Sequence, residues 1–209
     1  MSKASDRAYH AVRTRILDGS LAPGTQVREE DVATACAISR TPVREAIRRL
    51  EGEKLIERDR QRSYVRIWSE TAMKDVFALR LMVEPYVAER VALLIGPDDI
   101  DRLKRTSELY RFAITQTDPD IATIVDQNTT FHQVLLEVTR SEVLEIVLER
   151  LVAVPIVPQT LRRYSRAQLE KALTDHNELI AAFEIKDPSW ASTIMKNHIH
   201  RAQNAFFAT

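Results

Sequence analysis

The sequence predicts a mostly α-helical protein with two domains: a small helical domain that ends in a β-hairpin, followed by an all-helical bundle. Only 4 of the 209 residues are glycine, and the hydrophobic and charged fractions, 44% and 29%, are typical of a globular helical chain. Strand-like segments occur only before residue 69. Beyond it, apolar residues recur at helical spacing. We therefore expect residues 1–68 and 69–209 to form separate domains.

The first domain has the element order of a winged helix-turn-helix. Three helices are predicted, over residues 5–18, 29–35 and 40–53. Ser39 suits the N-cap of the third helix, and Pro42 falls in its first turn, where the missing N–H costs nothing. Two extended segments, 55–58 and 64–68, flank the basic stretch 59–63 and predict a β-hairpin wing. In this fold the third helix enters the major groove of DNA and the wing touches its backbone or minor groove.

Charge is distributed unevenly along the chain, although the net charge is zero. Residues 1–68 contain 14 Lys and Arg against 10 Asp and Glu, whereas residues 69–209 contain 16 against 20. A basic first domain suits a polyanionic partner. Arg40, Arg44 and Arg48 lie along one face of the third predicted helix, where guanidinium groups can bind guanine bidentately. The alternative is an ordinary solvated face on which Arg44, Arg48 and Arg49 pair with Glu45 and Glu51.

Residues 19–58 closely resemble the DNA-binding domain of GntR-family bacterial transcription regulators, and SRTPVREAIRRL is the most specific segment. The resemblance implies binding to double-stranded DNA, with support from the region of Glu30. It implies contacts from Ser39, Arg40, Thr41 and Arg44, and the basic helix face and wing tip add Arg48 and Arg62. The family usually has glycine where Lys54 stands and at the wing tip. We therefore expect positive φ at Lys54 and Ser63, or else rebuilt turns.

Six helices with short connections predict an all-α bundle after residue 68. They cover residues 70–95, 98–116, 119–140, 142–164, 166–186 and 188–207. The bundle resembles the FCD effector domain of the FadR subfamily of GntR regulators, and the count of six resembles its smaller, VanR-like group. The resemblance is carried by LRLMVE (79–84), NTTFH (128–132), DHNELIAAFEIKD (175–187) and IMKNHIH (194–200).

Three of the five histidines and one asparagine form a candidate metal site. Asn128 and His132 are four positions apart on one predicted helix and share a face, while His176 and His198 lie on the last two helices, which antiparallel packing can bring together. Three imidazoles with an amide oxygen suit a divalent first-row metal. The FCD resemblance implies these four residues as ligands of a Zn- or Ni-type transition metal, held more weakly than with an aspartate at position 128. Considered singly, each histidine also suits an ordinary hydrogen-bonded role.

Arg80 is the candidate effector-binding residue. It lies among apolar neighbours in LRLMVE, where a buried guanidinium requires a partner. The resemblance implies that this arginine helps to bind a carboxylate ligand, bidentately where the geometry allows. An internal ion pair with Glu84, four positions further on, is the alternative. Both interpretations hold if the effector displaces Glu84.

These features together predict a ligand-responsive transcription repressor, not an enzyme, whose DNA binding responds to a small organic acid. We expect a homodimer on a two-fold symmetric operator, because one recognition helix reads only a half-site. Two alternatives stay open: a helical domain used only for dimerisation, and a metal-dependent hydrolase, although HExxH spacing is absent. The single cysteine, Cys36, and the lack of a signal peptide or membrane-length apolar stretch predict the bacterial cytoplasm and nucleoid, without a membrane partner.

Overall fold

The structure, a computed structural model, describes residues 3–152 and 156–208. Most of these residues are helical, and the one sheet found among them is small and antiparallel, so the predicted fold class is confirmed. The described residues form two compact units, the first made mainly of residues 3–70 and the second of residues 71–152 and 159–208. The domain limits 1–68 and 69–209 stay a prediction.

The first unit contains three helices and three short strands. The helices are Lys3–Leu17 (α1), Glu29–Cys36 (α2) and Arg40–Gly52 (α3), and the strands are Gln26–Val27 (β1), Ile56–Asp59 (β2) and Arg62–Val65 (β3). β3 pairs with both other strands, in the order β1-β3-β2. The helices agree with the predicted ones to within two residues at each end. The sequence did not predict β1, because two residues are too few to show a strand periodicity.

A continuous apolar core fixes the orientation of α3. Val43, Ile47 and Leu50 are almost fully buried, as their spacing of four and three predicts. Val12 and Ile16 of α1 belong to the same cluster. Because this face of α3 packs against the core, the opposite face of the helix lies on the outer surface.

Among the non-glycine residues described in the first unit, Ala37, Lys54 and Arg60 have positive φ, and only Lys54 is at a predicted position. Lys54, which follows α3, has a φ of 61°. Ser63 does not adopt positive φ, because it lies within β3 opposite Arg58 and is buried, so the alternative of a rebuilt turn applies here. The hairpin turn comes earlier in the chain than expected, and Arg60 at its tip has the positive φ, 53°.

After residue 69 the described residues are mostly helical. The helices are Glu70–Leu94 (α4), Pro97–Thr115 (α5), Ile121–Thr139 (α6), Glu142–Val152 (α7), Ile156–Arg163 (α8), Arg166–Glu184 (α9) and Pro188–Phe207 (α10). The described residues thus form seven helices here rather than six, because α7 and α8 both fall within the helix predicted over 142–164 and residues 153–155 lie outside the described part of the chain. Pro155, in the gap, lies outside the described residues. Pro158 lies in the first turn of α8, where its missing N–H costs no helical hydrogen bond.

Four helices of the second unit contribute the predicted site residues. α5 packs against α6 and α9, and α9 packs against α10. Arg80 comes from α4, Asn128 and His132 come from α6, His176 comes from α9 and His198 comes from α10. Among the described helices, none combines the length and the apolar character needed to span a membrane.

Candidate functional site

The three predicted histidines lie together inside the second unit. One ligating nitrogen from each of His132, His176 and His198 can be chosen so that all three lie within 4.8 Å of one another. The ring centroids are 5.2 to 5.7 Å apart. His176 and His198 are buried, whereas His132 is partly accessible. This spacing allows three imidazole nitrogens to share one ligand.

The ring of His176 is fixed by aromatic neighbours. Phe131 stacks on it, with centroids 4.0 Å apart and planes 5° from parallel, and Tyr110 meets it at an edge, 5.7 Å away. His176 Nε2 is buried and has no hydrogen-bond partner among the described residues. A buried nitrogen without a partner is unfavourable. The atom is therefore suited to a ligand that does not belong to the chain.

Two buried carboxylates stand behind the other two histidines. Glu84 Oε2 lies 3.4 Å from His132 Nδ1, and Asp175 Oδ2 lies 3.3 Å from His198 Nδ1. A carboxylate at one ring nitrogen orients the imidazole and leaves the other nitrogen, here Nε2, available as a metal ligand. Sequence reasoning missed both contacts. Asp175 directly precedes His176, but adjacent helical residues do not face each other, so no local pattern indicates that Asp175 has a partner on α10.

Asp175 is itself held by cations. Arg201 approaches both carboxylate oxygens, Nε at 2.9 Å and Nη2 at 2.5 Å, and Lys171 Nζ lies 3.2 Å away. Burial raises the pKa of Asp175, but the hydrogen bonds from His198 and Arg201 outweigh it, so the pKa is lower than usual. Asp175 is therefore an ionised, fully buried acceptor that orients His198.

Arg80 forms the internal ion pair that was the alternative to effector binding. Its Nε lies 2.5 Å from Glu84 Oε1, and both side chains are buried. Burial alone would raise the pKa of Glu84. The charge of Arg80 and the hydrogen bond with His132 outweigh burial and lower the pKa to about 2. Glu84 is thus ionised at neutral pH and connects Arg80 to the histidine cluster.

The buried histidines are in the form that binds metals. Burial lowers the pKa of His176 well below its ordinary value, and the neighbouring His198 and His132 lower it further. Burial also lowers the pKa of His198, although its hydrogen bond with Asp175 opposes the change. Both rings are therefore neutral near pH 7, and neutral imidazole is the ligand form. The three imidazole nitrogens, among them the unpartnered His176 Nε2, fit a divalent transition metal.

Asn128, the fourth predicted ligand, is buried on α6 one turn before His132. The spacing of four places the two side chains on the same face of the helix. Its amide oxygen can therefore be directed to the same region of the interior as the His132 ring.

The predicted DNA-binding residues are exposed. They are Ser39, Arg40, Thr41, Arg44 and Arg48 at and after the start of α3, and Arg62 in the wing. Ser39 occupies the N-cap of α3, but its side chain makes no capping hydrogen bond with the described residues, so its hydroxyl can reach a phosphate.

The arginines of α3 differ in their surroundings. Arg40 pairs with Glu30 at 3.3 Å and Arg44 pairs with Glu29 at 2.8 Å, so their partners lie on α2 and not on α3. Both ion pairs are exposed, and such pairs are weak enough for a phosphate or base to replace them. Arg49 instead lies 3.6 Å from the Tyr9 ring, in a structural contact.

Comparison with known families gives matches to both parts of the chain. The family described as bacterial regulatory proteins, gntR family, matches residues 4–65, and the FCD domain matches residues 75–201, more than half of the chain. The chain belongs to the GntR family and carries an FCD domain. The resemblance to GntR-family regulators with an FCD domain is confirmed, and this GntR-family protein is a DNA-binding transcription regulator.

Characterised relatives are similar over most of their length. The gluconate operon transcriptional repressor of Bacillus subtilis is 25% identical, over 88% of this chain and 75% of its own. The transcriptional repressor RspR of Escherichia coli is 26% identical, over 93% and 85%. These relatives are regulators, so the prediction that the chain is not an enzyme is confirmed and the hydrolase alternative is rejected.

Solved structures share the fold. Escherichia coli McbR/YncC superposes with a TM-score of 0.87 at 18% identity, covering 99% of this chain and 98% of the other. A GntR regulator from Rhodococcus sp. RHA1, described as a putative one, superposes with a TM-score of 0.79 at 19% identity, covering 98% of each chain.

Proposed function

We propose that this protein is a ligand-responsive transcription repressor whose second unit binds a Zn- or Ni-type metal and a small carboxylic acid that alters operator binding. The observation that carries this proposal is the group of three histidine nitrogens within 4.8 Å, two of the rings being backed by buried carboxylates. Repression is proposed because the two relatives named above are repressors. As a DNA-binding regulator it acts at the nucleoid, in the cytoplasm.

His132, His176 and His198 would hold the metal through imidazole nitrogen, and Asn128 would add an amide oxygen. Nitrogen-rich sets of this kind suit Zn and Ni better than Mg or Ca. When bound, the metal supplies a positive charge that attracts a carboxylate oxygen. Glu84 and Asp175 orient His132 and His198 for this role.

The acid would bind at Arg80. A buried guanidinium without an anionic partner is strongly unfavourable, and Glu84 is that partner within the chain. The carboxylate of the effector takes the place of Glu84 on Arg80. Since Glu84 also contacts His132, this exchange changes the surroundings of the histidine cluster at the same time.

Thermal denaturation of untagged protein tests the proposal. The Tm is expected to rise with Zn²⁺ or Ni²⁺, and again when a matching carboxylic acid is added, because each binds only the folded state. The same acid should change operator affinity, and operator DNA should change the affinity for the acid by the same factor. If no metal and no acid shifts the Tm, the second unit serves only for dimerisation.

Arg44→Ala is expected to weaken operator binding by about 1–3 kcal/mol, the range for loss of one well-placed arginine contact to a base. Arg44 is exposed near the start of α3, and its only partner among the described residues is Glu29. Fluorescence anisotropy with operator DNA at fixed salt measures the change. Arg105→Ala, the same substitution at an exposed position of α5, is the control and should leave the affinity unaltered. Equal losses in both variants would contradict the assignment.

We propose that the homodimer forms through the α4 outer face, defined as Leu79, Met82, Tyr86 and Leu93. These side chains are 46%, 71%, 49% and 64% exposed, although the opposite face of α4 is buried in the core. An apolar stripe of this kind marks an interaction surface. The partner is a second copy, because a two-fold operator requires one.

The α4 outer face is complementary to itself. In an antiparallel pair of α4 helices with the two-fold axis beside Met82, Leu79 lies opposite Tyr86 of the second copy. Asp75, which is exposed, then lies opposite Arg90. Apolar side chains therefore meet apolar ones and the flanking charges are opposite, as an isologous interface requires.

Met82→Glu combined with Tyr86→Glu is expected to produce monomers, since it places unpaired charges at the centre of this face. Operator affinity should fall by about tenfold or more, because the two recognition helices are no longer linked. Light scattering gives the mass and anisotropy gives the affinity. Ile185→Glu, at a residue that is 65% exposed outside this face, is the control. A double variant that remains dimeric would place the interface elsewhere.

A further inference from the structure

Two hydroxyl groups in the interior of the second unit lack a hydrogen-bond partner within the described part of the chain. They are Ser107 Oγ and Tyr110 OH, both on α5. Tyr110 is 0% and Ser107 is 4% exposed. Buried hydroxyls in folded proteins are almost always hydrogen-bonded, and leaving one unpaired destabilises the folded state. The two groups therefore call for a partner that the chain does not supply.

Tyr110 borders the histidine cluster, and Ser107 lies one turn before it on α5. The Tyr110 ring contacts the edge of the His176 ring, 5.7 Å between centroids, and His176 Nε2 also lacks a partner among these residues. Ser107 and Tyr110 are three positions apart and share one face of α5. Long side chains on a helix lean towards its N-terminus, so the Tyr110 side chain extends over the turn that contains Ser107.

The partner that fits these groups is neutral. The phenol hydroxyl of Tyr110 and the hydroxyl of Ser107 can each donate and accept a hydrogen bond. The nearby carboxylate, Asp175, is already bound by Arg201 and Lys171. An anionic group of a ligand would go to Arg80, whereas a hydroxyl group matches Tyr110 and Ser107.

We propose that Tyr110 and Ser107 bind a hydroxyl group of the effector, which makes the effector a hydroxy acid. The inference rests on the proposed function, in which an organic acid binds in this unit. The carboxylate of the acid pairs with Arg80 and its hydroxyl reaches α5. The two tests below distinguish this inference from the proposed function itself.

The first test needs no ligand. Tyr110→Phe removes a hydroxyl that has no partner and keeps the ring against His176, so the Tm without acid is expected to stay unchanged or to rise. Ser107→Ala is expected to behave in the same way. A fall of several degrees in the Tm of both variants would mean that the hydroxyls have a structural partner, and it would overturn the inference.

The second test uses acids that differ by one hydroxyl: lactate and propionate, malate and succinate, and gluconate and 2-deoxygluconate. With metal-loaded wild-type protein, the hydroxylated member of the pair that fits is expected to bind about tenfold or more tightly, because a site built for a hydroxyl rejects the analogue without it. In Tyr110→Phe this preference is expected to shrink by about tenfold through weaker binding of the hydroxy acid alone.

The outcomes separate the two proposals. If wild-type protein binds acids but shows no preference within any pair, or if Tyr110→Phe keeps the preference, the hydroxy-acid inference is wrong and the proposed function stands. If wild-type protein binds none of the six acids, the inference and the acid-responsive function both fail.

Discussion

Arg80→Leu is expected to lower the free energy of unfolding by about 3–5 kcal/mol, which is the cost of leaving one charge of a buried ion pair without its partner. Arg80 and Glu84 are 4% and 5% exposed, and Arg80 Nε lies 2.5 Å from Glu84 Oε1. The substitution removes the cation and leaves an ionised carboxylate in the interior. Urea unfolding at pH 7, in the absence of metal and acid, measures the loss.

The double variant Arg80→Leu/Glu84→Leu is the control. It removes both charges and fills the space with apolar atoms, so most of the stability lost in the single variant should return. Recovery in the double variant identifies the stranded carboxylate, and not lost packing of the arginine stem, as the cause. A single variant that loses less than about 1 kcal/mol would instead resemble the loss of a surface pair, and it would contradict the buried arrangement.

The same ion pair predicts a pH dependence. The pKa of Glu84 in the folded protein is about 2, below its ordinary value of 4.5. The stabilisation from ionised Glu84 is therefore complete above pH 4.5 and is lost as the pH falls towards 2. The stability difference between wild-type protein and the double variant should fall by about 3 kcal/mol across this window. A difference that does not change with pH would mean that the pKa of Glu84 is not lowered.

Most helix boundaries could be predicted because they depend on local chemistry. At the start of α9, Ser165 forms a capping box with Gln168. At the start of α10, Asp187 accepts a hydrogen bond from the Trp190 N–H, and a proline occupies the first turn. Such signals act within four residues and can be read directly. The effect of Pro158 within the helix predicted over 142–164 was harder to predict, because prolines either bend or end a helix depending on the packing around them.

The candidate site could be predicted only in part, for a related reason. The spacing of Asn128 and His132, with the family resemblance, pointed to the four candidate ligands. The carboxylates behind them could not be assigned, since Glu84 meets His132 from α4 and Asp175 meets His198 from α9. Those contacts depend on how the helices pack. The unpartnered hydroxyl of Tyr110 could not be predicted either, because a tyrosine at an apolar position of a helix indicates only that its ring belongs to the core.

Removal of one histidine is expected to abolish most of the stabilisation by metal. Zn²⁺ or Ni²⁺ at a thousandfold excess over Kd adds about 4 kcal/mol to the stability of the folded state. His132→Gln should lose most of this gain, because it removes one of the three imidazoles and leaves the more deeply buried His176 and His198 in place. His200→Gln, at an exposed position of α10 outside the cluster, should keep it. A gain that survives in His132→Gln would contradict this ligand set.

Asn128→Asp then decides whether the amide limits the site. Asn128 is buried, so an aspartate there places a negative charge in the interior when no metal is present and should lower the Tm of the metal-free protein. With metal, the added negative charge and the stronger oxygen donor should tighten binding by about tenfold or more, within the range typical of changes around a metal site. The two effects have opposite sign, so a general loss of folding cannot imitate them. If Asn128→Asp lowers the Tm in both states, and metal analysis of both proteins finds no ion, residue 128 does not face the histidines and the second unit does not use a metal.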